Sequence, residues 1–249
     1  MVHFKTPSEI EIMKEGGKRL RKVVAELIPF IKIGMTTNEI DRRAEDLIVK
    51  NGGESSFNKV KNYKWSTCLT INEQVVHTPP SERVIKDGDI LTVDIGMYYK
   101  GFHTDYADTI AIGNVDNLVT QFLAVGKETL KKAIQIVKIG NRIGHISEVI
   151  EDEITSHRYK IMKQLTGHGV GKELHEDPYI FGYRERKTSK TMEIKPGLVI
   201  AIEIIYSESC EEIAYEKNND WSIVTADGSL SACFEHTIAV TDKEIMILT

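Results

Sequence analysis

Twice in this chain a lysine, a turn glycine and an apolar strand follow one another, and each time a carboxylate sits inside the strand. The stretch IKDGDILTVDIG begins at Ile85, and IKPGLVIAIEII begins at Ile194. An offset of 109 residues sets Lys86 on Lys195, Gly88 on Gly197, Val93 on Ile202 and Asp94 on Glu203. A second match, KIGMTTNEI from Lys32 against KIGNRIGHI from Lys138, needs an offset of 106. One match lies in helical territory and the other in strands. The nearly equal offsets therefore imply a duplicated unit of helices followed by strands, with its junction between Gly113 and Asn117. That order predicts an α+β fold with helices packed on one sheet. If the halves are related by a pseudo-twofold, Asp94 and Glu203 occupy equivalent strands and approach each other near the axis.

The helical parts carry their own punctuation. Thr6 can cap a first helix, Pro7 suits its first position, and Glu9 completes a capping box. Ile10, Met13, Leu20, Val24, Leu27 and Ile31 then keep the rhythm of one helix face up to Gly34. Thr36 and Glu39 offer a second capping box, and Gly52-Gly53 the stop of that helix. The segment from Asn117 to Ile139 is helical again.

The whole of residues 1–249 is expected to be one catalytic domain, with halves of about 1–113 and 114–249. At 41% hydrophobic and 28% charged the composition is that of a globular chain with material for a core. A formal charge of −5 without a long basic run argues against nucleic acid as a partner. No run of about 18 apolar residues and no signal-peptide stretch occurs, so no membrane association is expected. Cys68, Cys210 and Cys233 are an odd set without framework spacing, which places the chain in a reducing, cytoplasmic compartment.

In DILTVDIGMYYKGFHTDYADTIAIG, from Asp89, Leu91, Val93 and Ile95 alternate with Thr92, Asp94 and Gly96. A hairpin loop at Tyr99-Lys100 would set Asp94 opposite Asp105, and a loop at Lys100-Gly101 would pair Asp94 with Ala107. In the second case Asp105 remains a diagonal neighbour on the same face. Like charges side by side on a sheet face need a counter-charge, which a bound cation supplies. Glu203 lies inside the apolar strand LVIAIEIIY, where an unpaired carboxylate is costly. SACFEHTIAV puts Glu235 on another strand, and its TIA at Thr237 echoes the TIA at Thr109. LTGHGVGKELHEDP sets His168 between glycines that let the backbone approach a ligand, with His175 further on. Asp94, Asp105, His168, Glu203 and Glu235 form an oxygen-rich set with one imidazole. Such a set suits two divalent ions, Mn, Fe or Co, with Zn possible. Paired ions of this kind serve hydrolysis by activating a water and polarising a carbonyl. No HExxH is present, and no G-x-S-x-G with partner residues for a triad.

The order of Asp94, Asp105, the GHGVGKELHEDP segment, Glu203 and Glu235 resembles the type I methionine aminopeptidases, enzymes of the pita-bread fold. INEQVVHTPP from Ile71 is similar to the family's N-E-x-x-x-H segment and places His77 on its histidine. The resemblance covers essentially the whole chain. It implies a metalloaminopeptidase that removes N-terminal methionine from nascent proteins and peptides with a small second residue. It further implies that Asp94 and Asp105 hold one ion and His168 and Glu203 the other, with Asp105 and Glu235 bridging. Glu203 becomes the proton acceptor from the attacking water, and His77 and His175 face the substrate. Tyr63, Cys68, Leu174 and Trp221 fall where the family lines its methionine pocket. The expected partners are peptide and nascent-chain N-termini at the ribosome, and the expected state is monomeric.

Departures from the family pattern are Ile204 in place of proline, Thr78 and Pro79 after His77 in place of glycine, and Leu174 in place of an aromatic. Neither a zinc-finger extension nor an insertion of the type II kind is expected. The alternatives are an X-Pro peptidase of the same fold, which carries a large additional N-terminal domain, and a non-catalytic peptide-binding homologue, which loses metal ligands. His3, His103, His145 and His157 are expected to be solvated or packing residues. His236 is expected on the opposite face of its strand, Asp108 in a structural role, and YRERKTSKT from Tyr183 as an exposed loop.

Overall fold

The computed structural model describes residues 2–249. Helices α1 (Pro7–Leu27) and α2 (Thr37–Lys50) precede strands β1 (Glu54–Ser55), β2 (Thr67–Ile71), β3 (Gln74–Val76), β4 (Ile90–Tyr99) and β5 (Phe102–Ala111). The order then repeats. Helices α3 (Asn117–Gln135) and α4 (Ile143–Ser156) precede β6 (Lys160–Ile161), β7 (Thr166–Gly169), β8 (Glu176–Phe181) and β9 (Val199–Ser207). Strands β10 (Ile213–Tyr215), β11 (Ile223–Thr225), β12 (Ser231–Val240) and β13 (Ile245–Ile247) complete the chain. This is the α+β arrangement that the duplication implied, in the element order expected from the resemblance to pita-bread enzymes. No helix among the described residues is long and apolar enough to cross a membrane.

Corresponding residues of the two halves make corresponding bonds. Gly34 N–H donates to Ile85 O at 2.9 Å, and Gly140 N–H to Ile194 O at 3.2 Å. Ile85 and Ile194 answer with their own N–H groups to Met35 O and Asn141 O. The turn glycines Gly88 and Gly197 both have φ of +89°, a region open to glycine and costly for side chains. Thr6 and Thr36 cap α1 and α2 with full capping boxes. In the second half the matching places hold Arg142 and His145, and His145 Nδ1 accepts the Arg142 N–H at 2.9 Å. The first helix is shorter than its apolar rhythm suggests. Pro29 cannot continue an α-helix, so α1 ends at Leu27 and Ile31 reaches the core from beyond a short 3₁₀ turn.

The main sheet runs β1-β4-β5-β12-β9-β7-β8, with β2 also on β4, β13 on β12 and β6 on β9. Its pairings are antiparallel. Alternation divides each strand between two faces. Leu91, Val93, Ile95 and Met97 of β4 join the core under α1 and α2. Ile200, Ile202, Ile204 and Tyr206 of β9, with Ala232, Phe234, Ile238 and Val240 of β12, join the core under α3 and α4. Each fully buried branched side chain contributes about 1.5–3 kcal/mol. The helix-facing half of the sheet thereby supports whatever the other half carries. That other face bears the residues between: Asp94, Asp105, Glu203 and Glu235. A smaller sheet, β10-β11-β3, stands beside it and carries Trp221 on the β10–β11 connection.

The β4–β5 hairpin turns at Lys100-Gly101, not at Tyr99-Lys100. Both loop residues have positive φ, +48° and +91°. Two such residues make the tight turn whose twist suits a hairpin, and glycine takes the second place without strain. Asp94 therefore pairs with Ala107, and Asp105 lies opposite Gly96.

Candidate metal centre and substrate pocket

Register builds a single row across the sheet. Cys68 of β2 faces Asp94 of β4, Asp94 faces Ala107 of β5, Ala107 faces Glu235 of β12, and Glu235 faces Glu203 of β9. Ala107 and Glu235 correspond across the duplication, so the pseudo-twofold passes between them. Asp94 and Glu203 flank the axis as an equivalent pair. Asp105 and His168 stand one row further, His168 opposite Ala201, which is two residues from Glu203 on the same face. Thr237 fixes Asp105 by accepting its N–H and donating to its O, both at 2.9 Å. Thr109 does the same for Cys233 at 3.0 and 2.8 Å.

Asp105, His168 and Glu235 offer ligand atoms that all lie within 4.8 Å of one another, and all three are buried. Ligands about 2.0–2.2 Å from one ion are at most about 4.4 Å apart, so little adjustment would close them on a cation. Glu203 Oε1 lies 3.3 Å from His168 Nε2. Burial first, then Asp105 and Glu203, pushes the Asp94 carboxyl well above its ordinary range. Burial and the Asp105 charge do so for Glu203, and burial with Asp105, Glu203 and Asp94 for Glu235. Burial pushes Asp105 up to about 7. Among the described residues no lysine or arginine pairs with any of the four, and buried Glu235 Oε1 has no hydrogen-bond partner at all. An orphaned buried oxygen within a ring of carboxylates is a donor set suited to a cation. The residues fit a divalent centre with hard oxygen ligands and one imidazole.

The histidines are neutral by position. His168 Nδ1 donates to Gly169 O at 2.9 Å, which leaves Nε2 with its lone pair toward Glu203 and the centre. Burial lowers its pKa to about 3. Gly169 is required because a Cβ there would stand 2.3 Å from Asp177 O on the neighbouring strand. The His175 ring lies 4.4 Å from that of His168, centroid to centroid. His175 and His77 stand on the open rim, yet the surrounding protein lowers both pKa values, that of His77 to about 4. His77 has φ of +60°, a strained setting of the kind that collects at functional sites. Thr78 Oγ1 holds that segment to Ser222 Oγ at 2.7 Å, beside Trp221.

Beside the carboxylates, Phe57, Tyr63, Cys68 and Leu174 form a buried apolar cluster, with Val60, Trp65 and Trp221 against it. Tyr63 meets Trp221 edge to face at 5.1 Å, and its hydroxyl lies 3.1 Å from Cys68 Sγ. All of Tyr63, Cys68, Leu174 and Trp221 line one cavity of about 280 Å³, together with the five acidic and histidine residues of the centre, His77 and His175. That volume is at the small end of ligand pockets. Sequence reasoning missed Phe57 and Val60. They lie in a loop without periodicity, and the one hint was apolar residues in the polar stretch after Gly53.

It also missed Asp41. This α2 carboxylate accepts the N–H groups of Ser66 and Thr67 and the Thr67 hydroxyl at 3.0, 2.9 and 2.7 Å, which fixes the segment between Tyr63 and Cys68. Asp41→Ala would leave two buried N–H groups unsatisfied. A loss of about 2–4 kcal/mol is expected, or roughly 4–16 °C in a chain of this size. A thermal melt within about 1 °C of the parent would contradict this account.

His103, expected to pack, is buried between Ser56 Oγ at 2.6 Å and the Tyr98 ring. Asp108 pairs with Lys127 at 3.2 Å, and His236 meets the Tyr106 ring at a tilt of 53°, centroids 5.4 Å apart, away from the centre.

Comparison with known proteins agrees with this geometry. The model of metallopeptidase family M24 matches residues 11–242. The chain is 39% identical over 249 residues to methionine aminopeptidase 1 of Bacillus subtilis, covering 100% of this chain and 99% of the relative. Among solved structures, a methionine aminopeptidase from Thermotoga maritima superposes with a TM-score of 0.95 at 36% identity, covering 100% and 99%. A prolidase from Pyrococcus furiosus shares the fold, with a TM-score of 0.80 at 24% identity, and this chain spans 65% of its length.

Proposed function

The chain belongs to metallopeptidase family M24, and we propose how its residues divide the work of a methionine aminopeptidase. It releases methionine from the N-termini of peptides and proteins. The substrates proposed are nascent chains with a small second residue, met in the cytoplasm at the ribosome by a monomer. Residues 1–249 act as one catalytic domain whose halves meet near 113–114. The observation that carries this reading is the opening of one small aromatic-walled cavity onto four carboxylates, of which Asp105 and Glu235 are buried, and the buried His168 imidazole.

In the proposed division, Asp94 and Asp105 would hold one divalent ion, Mn, Fe or Co, and His168 with Glu203 the other, with Asp105 and Glu235 shared. Bound ions supply an activated water and a Lewis acid for the scissile carbonyl. The protein's own part is orientation and proton transfer. The thioether would lie against Tyr63, Trp221 and Leu174, since sulfur makes favourable contacts with aromatic edges. Glu203, whose Oε1 lies 3.3 Å from His168 Nε2, would take the proton of the attacking water. His175 and His77, neutral at pH 7, would donate to the substrate carbonyl without adding charge to the cavity.

Hydrolysis of Met-Ala-Ser, Lys-Ala-Ser and Ala-Pro after removal of metal and refilling with Mn, Fe, Co or Zn tests the reading. Release of methionine from the first alone, dependent on refilling, is expected. Equal rates for the Met-first and Lys-first peptides would sink the pocket assignment, and preference for Ala-Pro would favour an X-Pro peptidase.

A further inference from the structure

Lys5 is a lysine whose side chain is almost wholly withdrawn from water, 1% exposed, in a protein whose other lysines among the described pairs sit at the surface. Its Nζ lies 2.6 Å from Glu176 Oε2, a carboxylate itself only 13% exposed. Glu176 follows His175 directly, and its backbone pairs with Gly169, next to His168. The second oxygen of Glu176 accepts the Glu173 N–H at 3.2 Å, so one carboxylate closes the loop of residues 170–175 and takes a cation from outside it. The fit is tight. A Cβ on Gly171 would stand 2.4 Å from Lys5 Cε and 2.6 Å from Glu176 Oε1. Lys5 N–H donates to Gly197 O at 2.7 Å, which ties the lysine's backbone to the turn that launches β9, the strand of Glu203. His103 N–H holds the same loop from β5, at Gly171 O.

We propose that Lys5 is a positioning residue for the reaction: through Glu176 it sets the angle at which His175 stands over the cavity. A buried ion pair gains little net stability over an apolar pair of the same shape, and its use lies in fixing one geometry. Loss of the ammonium leaves the Glu176 carboxylate buried without a counter-charge. Hydrating it requires the loop to open, and His175 moves with it. His168 is held separately, by its bond to Gly169 O and by the β7–β9 ladder, so the metal ligands stay in place. The consequence rests on the substrate-side role given to His175 above.

The test is a double-mutant cycle. Lys5→Met is expected to lower kcat by about 10–100-fold, the scale of a small misplacement of a catalytic group, with KM and bound metal unchanged. Glu176→Gln keeps the shape and the acceptor for Glu173 N–H and is expected to act in the same direction, which answers the question should Lys5→Met fold poorly. In a His175→Ala background either change is expected to cost nothing further in kcat, because the group it positions is gone. If the losses multiply in that background, or if bound metal falls, Lys5 is a structural residue and the proposal is overturned. If His175→Ala alone leaves kcat unchanged, the failure lies in the role of His175.

Discussion

Glu235→Ala is expected to abolish turnover and empty the centre of metal while the metal-free protein melts at or above the temperature of its metal-free parent. Outer-sphere partners of a metal typically cost 10–100-fold. A ligand shared between two ions is expected to cost the product of two such effects, roughly 10²–10⁴ in kcat/KM. The stability prediction has the opposite sign for a reason visible in the row. Glu235 is 3% exposed, its Oε1 has no partner, and Asp105, Glu203 and Asp94 all oppose its charge. Without metal this carboxyl is a burden of about 1–3 kcal/mol, the cost of a buried polar group left unsatisfied. The backbone of β12 does not depend on the side chain, because its pairing to β9 continues for residues on either side. With metal present the order reverses, since the parent gains stability from a bound ion and the variant cannot. Asp105→Ala should behave likewise, as Thr237 continues to hold its backbone. Melting curves with chelator and with added Mn, beside metal content and turnover, read all of this. Near-parental turnover in either variant would remove it from the shared position.

The duplication was legible because the turn glycines, lysines and strand patterns of the two halves must do the same local work. It accounts for two of the four carboxylates of the centre. Asp94 and Glu203 are true equivalents, but Asp105 corresponds to Cys233 and Glu235 to Ala107, as the reciprocal bonds of Thr237 and Thr109 show. Symmetry thus brought the strands together, and divergence put the remaining carboxylates on them. The parity of Asp94 and Asp105 could be read from sequence, whereas their register could not. It depended on which two residues of Tyr99-Lys100-Gly101 accept positive φ, and glycine in the second place decided it. Residues that act through distant partners left no local signal. Asp41, Lys5 and Glu176 are charged residues without a motif of their own, and only the assembled fold reveals what they meet. Phe57 and Val60 lie in a loop, where no period distinguishes a pocket wall from an exposed apolar residue.

His168→Ala and His175→Ala should separate binding of metal from catalysis, though both residues sit in one glycine-rich segment with rings 4.4 Å apart. His168 is buried, donates Nδ1–H to Gly169 O and aims Nε2 at the carboxylates, the arrangement of a ligand whose tautomer is fixed. His175 stands at the rim of the same cavity, and no bond of that kind ties it to the carboxylates. A neutral imidazole there can donate to the substrate carbonyl oxygen, which gains charge only as water attacks. Such a donor stabilises the transition state more than the bound substrate, so its loss appears in kcat far more than in KM. For His175→Ala a fall in kcat of about 10²–10³ is expected, the scale of one oxyanion donor, with KM and metal content close to the parent. For His168→Ala metal affinity itself should drop, and added metal should restore part of the activity because the four carboxylates remain. Metal titration and steady-state kinetics on the two variants distinguish the roles. Should His175→Ala lose metal as severely as His168→Ala, His175 is a ligand and the division of labour between the two histidines must be redrawn.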